Sequence, residues 1–144
     1  MPEKHIGKVV QVMGPVLDIR FRDGELPALL NAVELENNGK KLIVEVAQHI
    51  GDNVVRCIAM AATDGLVRGT DARGPGEPIK VPVGDECLGR VFNLLGEPVD
   101  EQPAPENIER WPIHRPAPAF DEQESATEIL ETGIKVVDLI CPYA

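Results

Sequence analysis

The sequence predicts a mainly β protein whose amino-terminal part folds as a small closed antiparallel β-barrel. Apolar and polar residues alternate over several short segments in the first half of the 144 residues, as they do in half-buried strands. Turn pairs such as Gly14-Pro15, Asp23-Gly24 and Asn38-Gly39 separate these segments. Most of the 13 prolines, which cannot donate to a sheet ladder, lie after residue 74, so regular sheet should dominate the first half.

The first two strands are predicted at residues 5–12 and 16–22. In the second of these segments, apolar Leu17 and Ile19 alternate with the charged Asp18. This period of two is typical of a strand with one face in a core and the other in solvent.

The next two strands are predicted to form a hairpin. Residues 29–36 alternate again, and the following Asn38-Gly39 pair favours a tight turn because both residues tolerate positive φ. The side chains expected to point into the core from the returning strand are Leu42, Val44 and Val46.

A further apolar strand is predicted over residues 53–62, after the Gly51-Asp52 turn. Five or six short strands at this spacing, with no helical periodicity between them, favour a closed or nearly closed barrel. Closure would remove the exposed strand edges that a small β domain must otherwise protect. A two-sheet sandwich is the alternative architecture.

The second half is predicted to be less regular. Residues 71–84 carry three prolines and three glycines and are interpreted as a linker, at which a hinge could begin. Residues 87–95 are predicted as a short strand, and residues 98–119 as an irregular proline-rich path. Residues 121–131 hold five carboxylates and should be solvated.

A short helix is predicted near the end of the sequence. Thr132 is a candidate amino-terminal cap, and Pro142 is a candidate stop. The apolar residues at helical spacing are Ile134, Val137 and Ile140.

The charge balance argues against polyanionic partners. The formal net charge is −10 and the sequence pI is about 4.7, so long-range electrostatics repel nucleic acid and anionic lipid. The sequence contains neither an apolar leader segment nor a run of about 18 apolar residues, so neither export nor membrane insertion is expected.

No catalytic, cofactor-binding or metal-binding residue is predicted between residues 1 and 144. The histidines lack metal-ligand spacing, the strand carboxylates alternate as a solvated sheet face would, and the cysteines are too scattered for a Cys-x-x-Cys site. Gly74-Pro75-Gly76 lacks the lysine of a phosphate loop, and Ser125 has no histidine motif nearby. The residues weighed for these roles are His5, His49, His114, Asp18, Glu34, Glu36, Glu45, Cys57, Cys87 and Cys141.

Six segments, in order along the chain, carry a family resemblance. They are HIGKVVQVMGPVLDI at 5–19, TDGLVRG at 63–69, IKVPVG at 79–84, LGRVFN at 88–93, GEPVD at 96–100 and ETGIKVVDLICPYA at 131–144. Together they resemble the opening of the beta subunits of F-type, proton-translocating ATP synthases. The related alpha subunits share the barrel and a Leu-Gly-Arg segment, but Gly14-Pro15-Val16, Asn93 after Phe92 and the segment 132–139 favour beta.

The resemblance implies a crown barrel over residues 1–80 and the incomplete start of an α/β P-loop NTPase, or nucleotide-binding, domain over residues 81–144. In the family, beta subunits alternate with alpha subunits in a hexameric ring around a central rotor subunit. That ring makes ATP from ADP and phosphate, with Mg-ATP or Mg-ADP at its sites, on the cytoplasmic side of the bacterial plasma membrane.

The resemblance further implies an amino-terminal fragment that ends just before the Walker A loop. No Gly-x-x-x-x-Gly-Lys-Thr/Ser occurs in the sequence, because residues 2 and 34 are not glycine ahead of Gly7-Lys8 and Gly39-Lys40. Residues 1–144 are therefore expected to be inactive and to need no cofactor of their own. A stand-alone, non-catalytic β-barrel binding module of the same lineage is the alternative.

Overall fold

A closed six-stranded antiparallel barrel forms the amino-terminal part of the protein, seen in a computed structural model that describes residues 5–123 and 128–143. The strands in chain order are β1 (His5–Met13), β2 (Val16–Phe21), β3 (Ala32–Asn37), β4 (Lys40–Gly51), β5 (Val54–Ala59) and β6 (Asp71–Gly74). Around the barrel they are ordered β1-β2-β5-β4-β3-β6, and β6 pairs with β1 to close it. The predicted fold class is confirmed, and the sandwich alternative is wrong.

The interior of the barrel is filled mainly by aliphatic side chains. Alternate residues of each strand point inward, and the predicted core residues of β4, Leu42, Val44 and Val46, are only 3%, 0% and 0% exposed. They join side chains from the other five strands in one cluster. The cluster consists of Val9, Leu17, Ile19, Phe21, Val33, Leu35, Leu42, Val44, Val46, Val55, Cys57 and Ala72.

The β3–β4 hairpin turns where the sequence predicts it. Asn37 pairs with Lys40, and the two residues between them, Asn38 and Gly39, have φ values of 52° and 75°. Positive φ at both central positions is what a tight hairpin turn requires.

The stretch predicted as a linker instead contains ordered sheet, so that prediction is wrong. Asp71–Gly74 is the last barrel strand, and Lys80–Pro82 forms β7, which pairs with β8 (Arg110–Pro112). The second strand of this ribbon, β8, also interrupts the path predicted to be irregular over residues 98–119. Long-range pairing supplies the ladder partners of these short segments, which local composition does not reveal.

The predicted strand over residues 87–95 is also absent, because its backbone turns repeatedly. A 3₁₀ turn occupies Asp85–Cys87, and Gly89 and Gly96 have φ values of 70° and 72°. The side chain of Asn93 accepts hydrogen bonds from two following backbone amides, at 2.9 Å each. Such local side-chain bonds compete with a sheet ladder.

The predicted terminal helix is present as α1 (Lys135–Ile140), which ends two residues before Pro142. Thr132 does not cap it, because Ile134 occupies the capping position. The described part of the acidic stretch 121–131 is exposed, as expected; Ser125 lies outside the described residues. None of the described helices is long and apolar enough to cross a bilayer.

Candidate functional site

A part-buried ion pair joins β2 to β5 on the outer face of the barrel. Asp18 is 4% exposed, and its two carboxylate oxygens accept from Nε and Nη2 of Arg56 at 2.8 and 2.9 Å. The carboxylate raises the pKa of Arg56, first through this hydrogen bond and then through charge. A guanidinium that donates to both oxygens of a carboxylate forms a strong and geometrically specific link, here between two strands.

The expectation that the strand carboxylates form a solvated face is therefore only partly right. Glu36 is exposed and Glu34 is half-buried, whereas Asp18 and Glu45 are 4% and 8% exposed. Alternation separates the two faces of a strand, but it does not reveal whether other residues cover the outer one.

The three histidines lie apart from one another, and each forms a hydrogen bond with a different residue. Nδ1 of His5 donates to the carbonyl of Glu25 at 2.7 Å, and Nε2 of His49 donates to the carbonyl of Pro27 at 2.8 Å. Nε2 of His114 donates to a carboxylate oxygen of Glu45 at 2.9 Å. Across residues 5–123 and 128–143, no group of three or more His, Cys, Asp or Glu side chains could hold a metal ion.

Three glycine-containing elements were weighed as phosphate-binding loops, and each contributes to the barrel structure. They are Gly7-Lys8, Gly39-Lys40 and Gly74-Pro75-Gly76. A Cβ at Gly74 would lie 2.8 Å from the Cβ of His5, so glycine permits the close approach of β6 to β1. Lys8 donates to Asp71 at 2.7 Å across the same strand pair, and this hydrogen bond lowers the pKa of Asp71. Gly39-Lys40 lies at the β3–β4 hairpin turn.

A second ion pair fixes the loop that replaces the predicted strand. Nε of Arg90 donates to Asp100 at 2.6 Å, and both side chains are largely buried, at 14% and 12% exposure. Arg90 also donates to the carbonyl of Pro103 and lies over the ring of Phe92. The guanidinium, with the backbone amide of Val91 assisting, holds the pKa of Asp100 well below its usual range.

Asp138 organises the turn before α1. Its carboxylate accepts from the hydroxyl of Thr132 at 2.6 Å, and from the backbone amides of Thr132 and Gly133 at 3.1 and 3.0 Å. These bonds lower the pKa of Asp138. Thr132 thus helps to start the helix by a different route from the predicted cap.

The extension after the barrel presents many exposed apolar side chains. They include Leu88 (76%), Val91 (57%), Leu94 (53%), Phe120 (92%), Leu139 (82%) and Ile140 (77%). A soluble protein usually keeps such groups in contact with another surface when they are numerous. This extension is therefore the part of the described chain that most resembles an interface.

The fold defines a small barrel domain with a filled interior, so a partner must engage its outer surface. Residues 9–74 match the family model described as "ATP synthase alpha/beta family, beta-barrel domain". The barrel of this chain is thus similar to the amino-terminal β-barrel domain of the ATP synthase alpha/beta family. Members of this family are subunits of multi-subunit ATP synthase complexes, whose catalytic sector is peripheral to the membrane.

Proposed function

We propose that the chain is the amino-terminal part of the catalytic beta subunit of an F-type ATP synthase. The observation that carries this proposal is the closed barrel over the matched residues 9–74. The segments resembling the beta family continue beyond it, at 79–84, 88–93, 96–100 and 131–144. The beta assignment rests on Gly14-Pro15-Val16, on Asn93 after Phe92 and on the segment 132–139.

The barrel serves assembly in this proposal. It joins alternating alpha-subunit barrels side by side in a hexameric crown, and it holds one end of the subunit still while the parts below open and close around the central rotor subunit. A filled aliphatic core suits this role, because close packing makes a stiff support. The complex lies at the cytoplasmic side of a bacterial plasma membrane.

Residues 81–144 begin the nucleotide-binding domain in this proposal. The exposed Leu88, Val91, Leu94, Leu139 and Ile140 support this view, because they offer a layer for a sheet that is not within the described residues. Mg-ATP and Mg-ADP would bind to the phosphate loop and helix of that domain, which residues 1–144 do not contain. Residues 1–144 are therefore expected to contribute to assembly and not to chemistry.

Pairing specificity tests the proposal. The purified chain is mixed separately with an ATP synthase alpha subunit and with a full-length beta subunit, and complexes are counted by native mass spectrometry. A beta-type crown domain should pair with alpha and leave beta unbound. Pairing with beta alone would make the chain alpha-like, and pairing with neither would favour a stand-alone binding module.

A further inference from the structure

The β7–β8 ribbon is seated against the outer face of the barrel at β3 and β4. The backbone amide of Ala32 donates to the carbonyl of Glu77 at 2.9 Å, and Asn31 forms a bridge with Pro78. At the other strand of the ribbon, the amide of Ile113 donates to the carbonyl of Ile79 at 3.0 Å. Backbone hydrogen bonds thus join the start of β3 to the residues before β7, and those residues to the residue that follows β8.

An apolar contact seals this junction. Ile79 is 5% exposed and packs with Ala32 and Ile43, which lie on the outer face of β3 and β4. Met60 and Leu95 pack against the same three residues. This second small core is separate from the barrel interior, and it is shared between the barrel and the extension.

Glu45 reaches across the same junction. It lies on the outer face of β4, opposite Ala32 on β3 and Ile58 on β5, whose side chains cannot hydrogen-bond to a carboxylate. Its side chain is 11% exposed, and its carboxylate accepts from Nε2 of His114 at 2.9 Å. A buried carboxylate is costly to leave without its hydrogen-bond partner, so His114 is held where it satisfies Glu45.

Arg115 contacts the ribbon: its guanidinium carbon lies 3.6 Å from the centre of the Trp111 ring. The described residues after Arg115 have different hydrogen-bond partners. The hydrogen bonds seen in residues 116–123 run among themselves, as between Ala119 and Glu122. Those in residues 128–143 do the same, as between Leu130 and Tyr143. Residues 77–79 and His114 are tied to the barrel, and the hydrogen bonds of the described later segments are local.

We propose that the Glu45–His114 pair clasps the β7–β8 ribbon to the barrel, so that residues 75–114 move with the barrel and relative motion begins beyond Arg115. The hinge expected at residues 71–84 is thereby shifted at least 30 residues along the chain, counted from residue 84 to residue 114. The side chain of Ile79 supplies the apolar contact with the barrel, and Glu45 ties the end of the second strand to β4 through its hydrogen bond with His114.

Hydrogen exchange followed by mass spectrometry tests the clasp on the intact chain. In the unmodified chain, residues 79–82 and 110–114 should exchange slowly, like the barrel, and residues 128–143 rapidly. His114→Ala should speed exchange in residues 110–114 by about tenfold, the effect of losing one hydrogen bond to a charged group. The barrel strands should be unchanged. Ribbon exchange as fast as that of residues 128–143 in the unmodified chain would overturn the proposal.

Two further variants separate the clasp from a general loss of structure. His114→Gln keeps a donor for Glu45 and should restore part of the protection, whereas His49→Ala removes a histidine that bonds to Pro27 and should leave the ribbon unchanged. Trp111 is the single tryptophan, so acrylamide quenching reports release of β8 directly and should rise only in His114→Ala. Equal quenching and equal ribbon exchange in His114→Ala and the unmodified chain would refute the clasp.

Discussion

Truncating one side chain in the barrel interior should cost a large part of the stability of this domain. Val44 is 0% exposed and lies in the main core cluster. Val44→Ala removes two carbon atoms, at about 0.8 kcal/mol each for lost burial, and the cavity left behind brings the loss in free energy of unfolding to about 2–3 kcal/mol. Small domains have little stability in reserve, so this loss should be readily measured.

Urea unfolding followed by far-UV circular dichroism measures this loss. With a denaturant dependence of about 1.5 kcal/mol/M, the midpoint should fall by about 1–2 M. Val67→Ala is the matched control, because Val67 is 65% exposed and the same truncation there should change the free energy of unfolding by about 0.5 kcal/mol or less. Equal midpoints for the two variants would refute the assignment of Val44 to a close-packed interior.

Three further predictions follow from the cysteines, the ion pairs and the missing phosphate loop. Burial, with the Asp18 charge assisting, raises the pKa of Cys57 to about 12, so at pH 8 a thiol reagent should label the exposed Cys141 much faster, and equal rates would contradict this burial. Because folding lowers the pKa of Asp100, its ionised carboxylate stabilises the loop at pH values above the ordinary aspartate pKa of about 3.9. This stabilisation is lost as the pH falls from there towards the pKa of Asp100 in the folded protein. Faster amide exchange in residues 90–102 of Asp100→Asn should therefore show at pH 7 and fade below about pH 4; a difference that persists in acid would show another cause. Titration calorimetry should detect no saturable binding of Mg-ATP at micromolar concentration, and stoichiometric binding would reveal a site outside any motif in the sequence.

The barrel could be predicted from sequence because its signals are local. Alternation around Asn38-Gly39 gives the hairpin, its register and its inward residues at once, since a slip of one residue would turn Val44 to solvent. Turn residues divide the other strands in the same way. The family resemblance added the expected partners, which the strand pattern alone does not indicate.

The parts that sequence reasoning missed all depend on long-range contacts. Nothing near Glu45 indicates that a histidine 69 residues away covers it, and nothing near Asp71 indicates that it begins the closing strand. The apolar residues around Arg90 predict a strand. In the structure, the Arg90–Asp100 ion pair and the hydrogen bonds to the side chain of Asn93 hold this segment in turns instead. The available signal was an arginine and an aspartate ten residues apart, with Gly89 beside the arginine and Gly96 between the two.

Incorporation into the alternating ring is the property that most directly tests a beta-type crown domain. The chain is added in molar excess while alpha, full-length beta and the central rotor subunit, all from one source, are assembled, and hexamer yield and ATP hydrolysis are measured. The chain should enter the ring in place of beta and lower both quantities in proportion to the amount added, while Val44→Ala should do so less effectively at temperatures that unfold it. Unchanged yield and hydrolysis, with the chain absent from the purified ring, would contradict the proposed function.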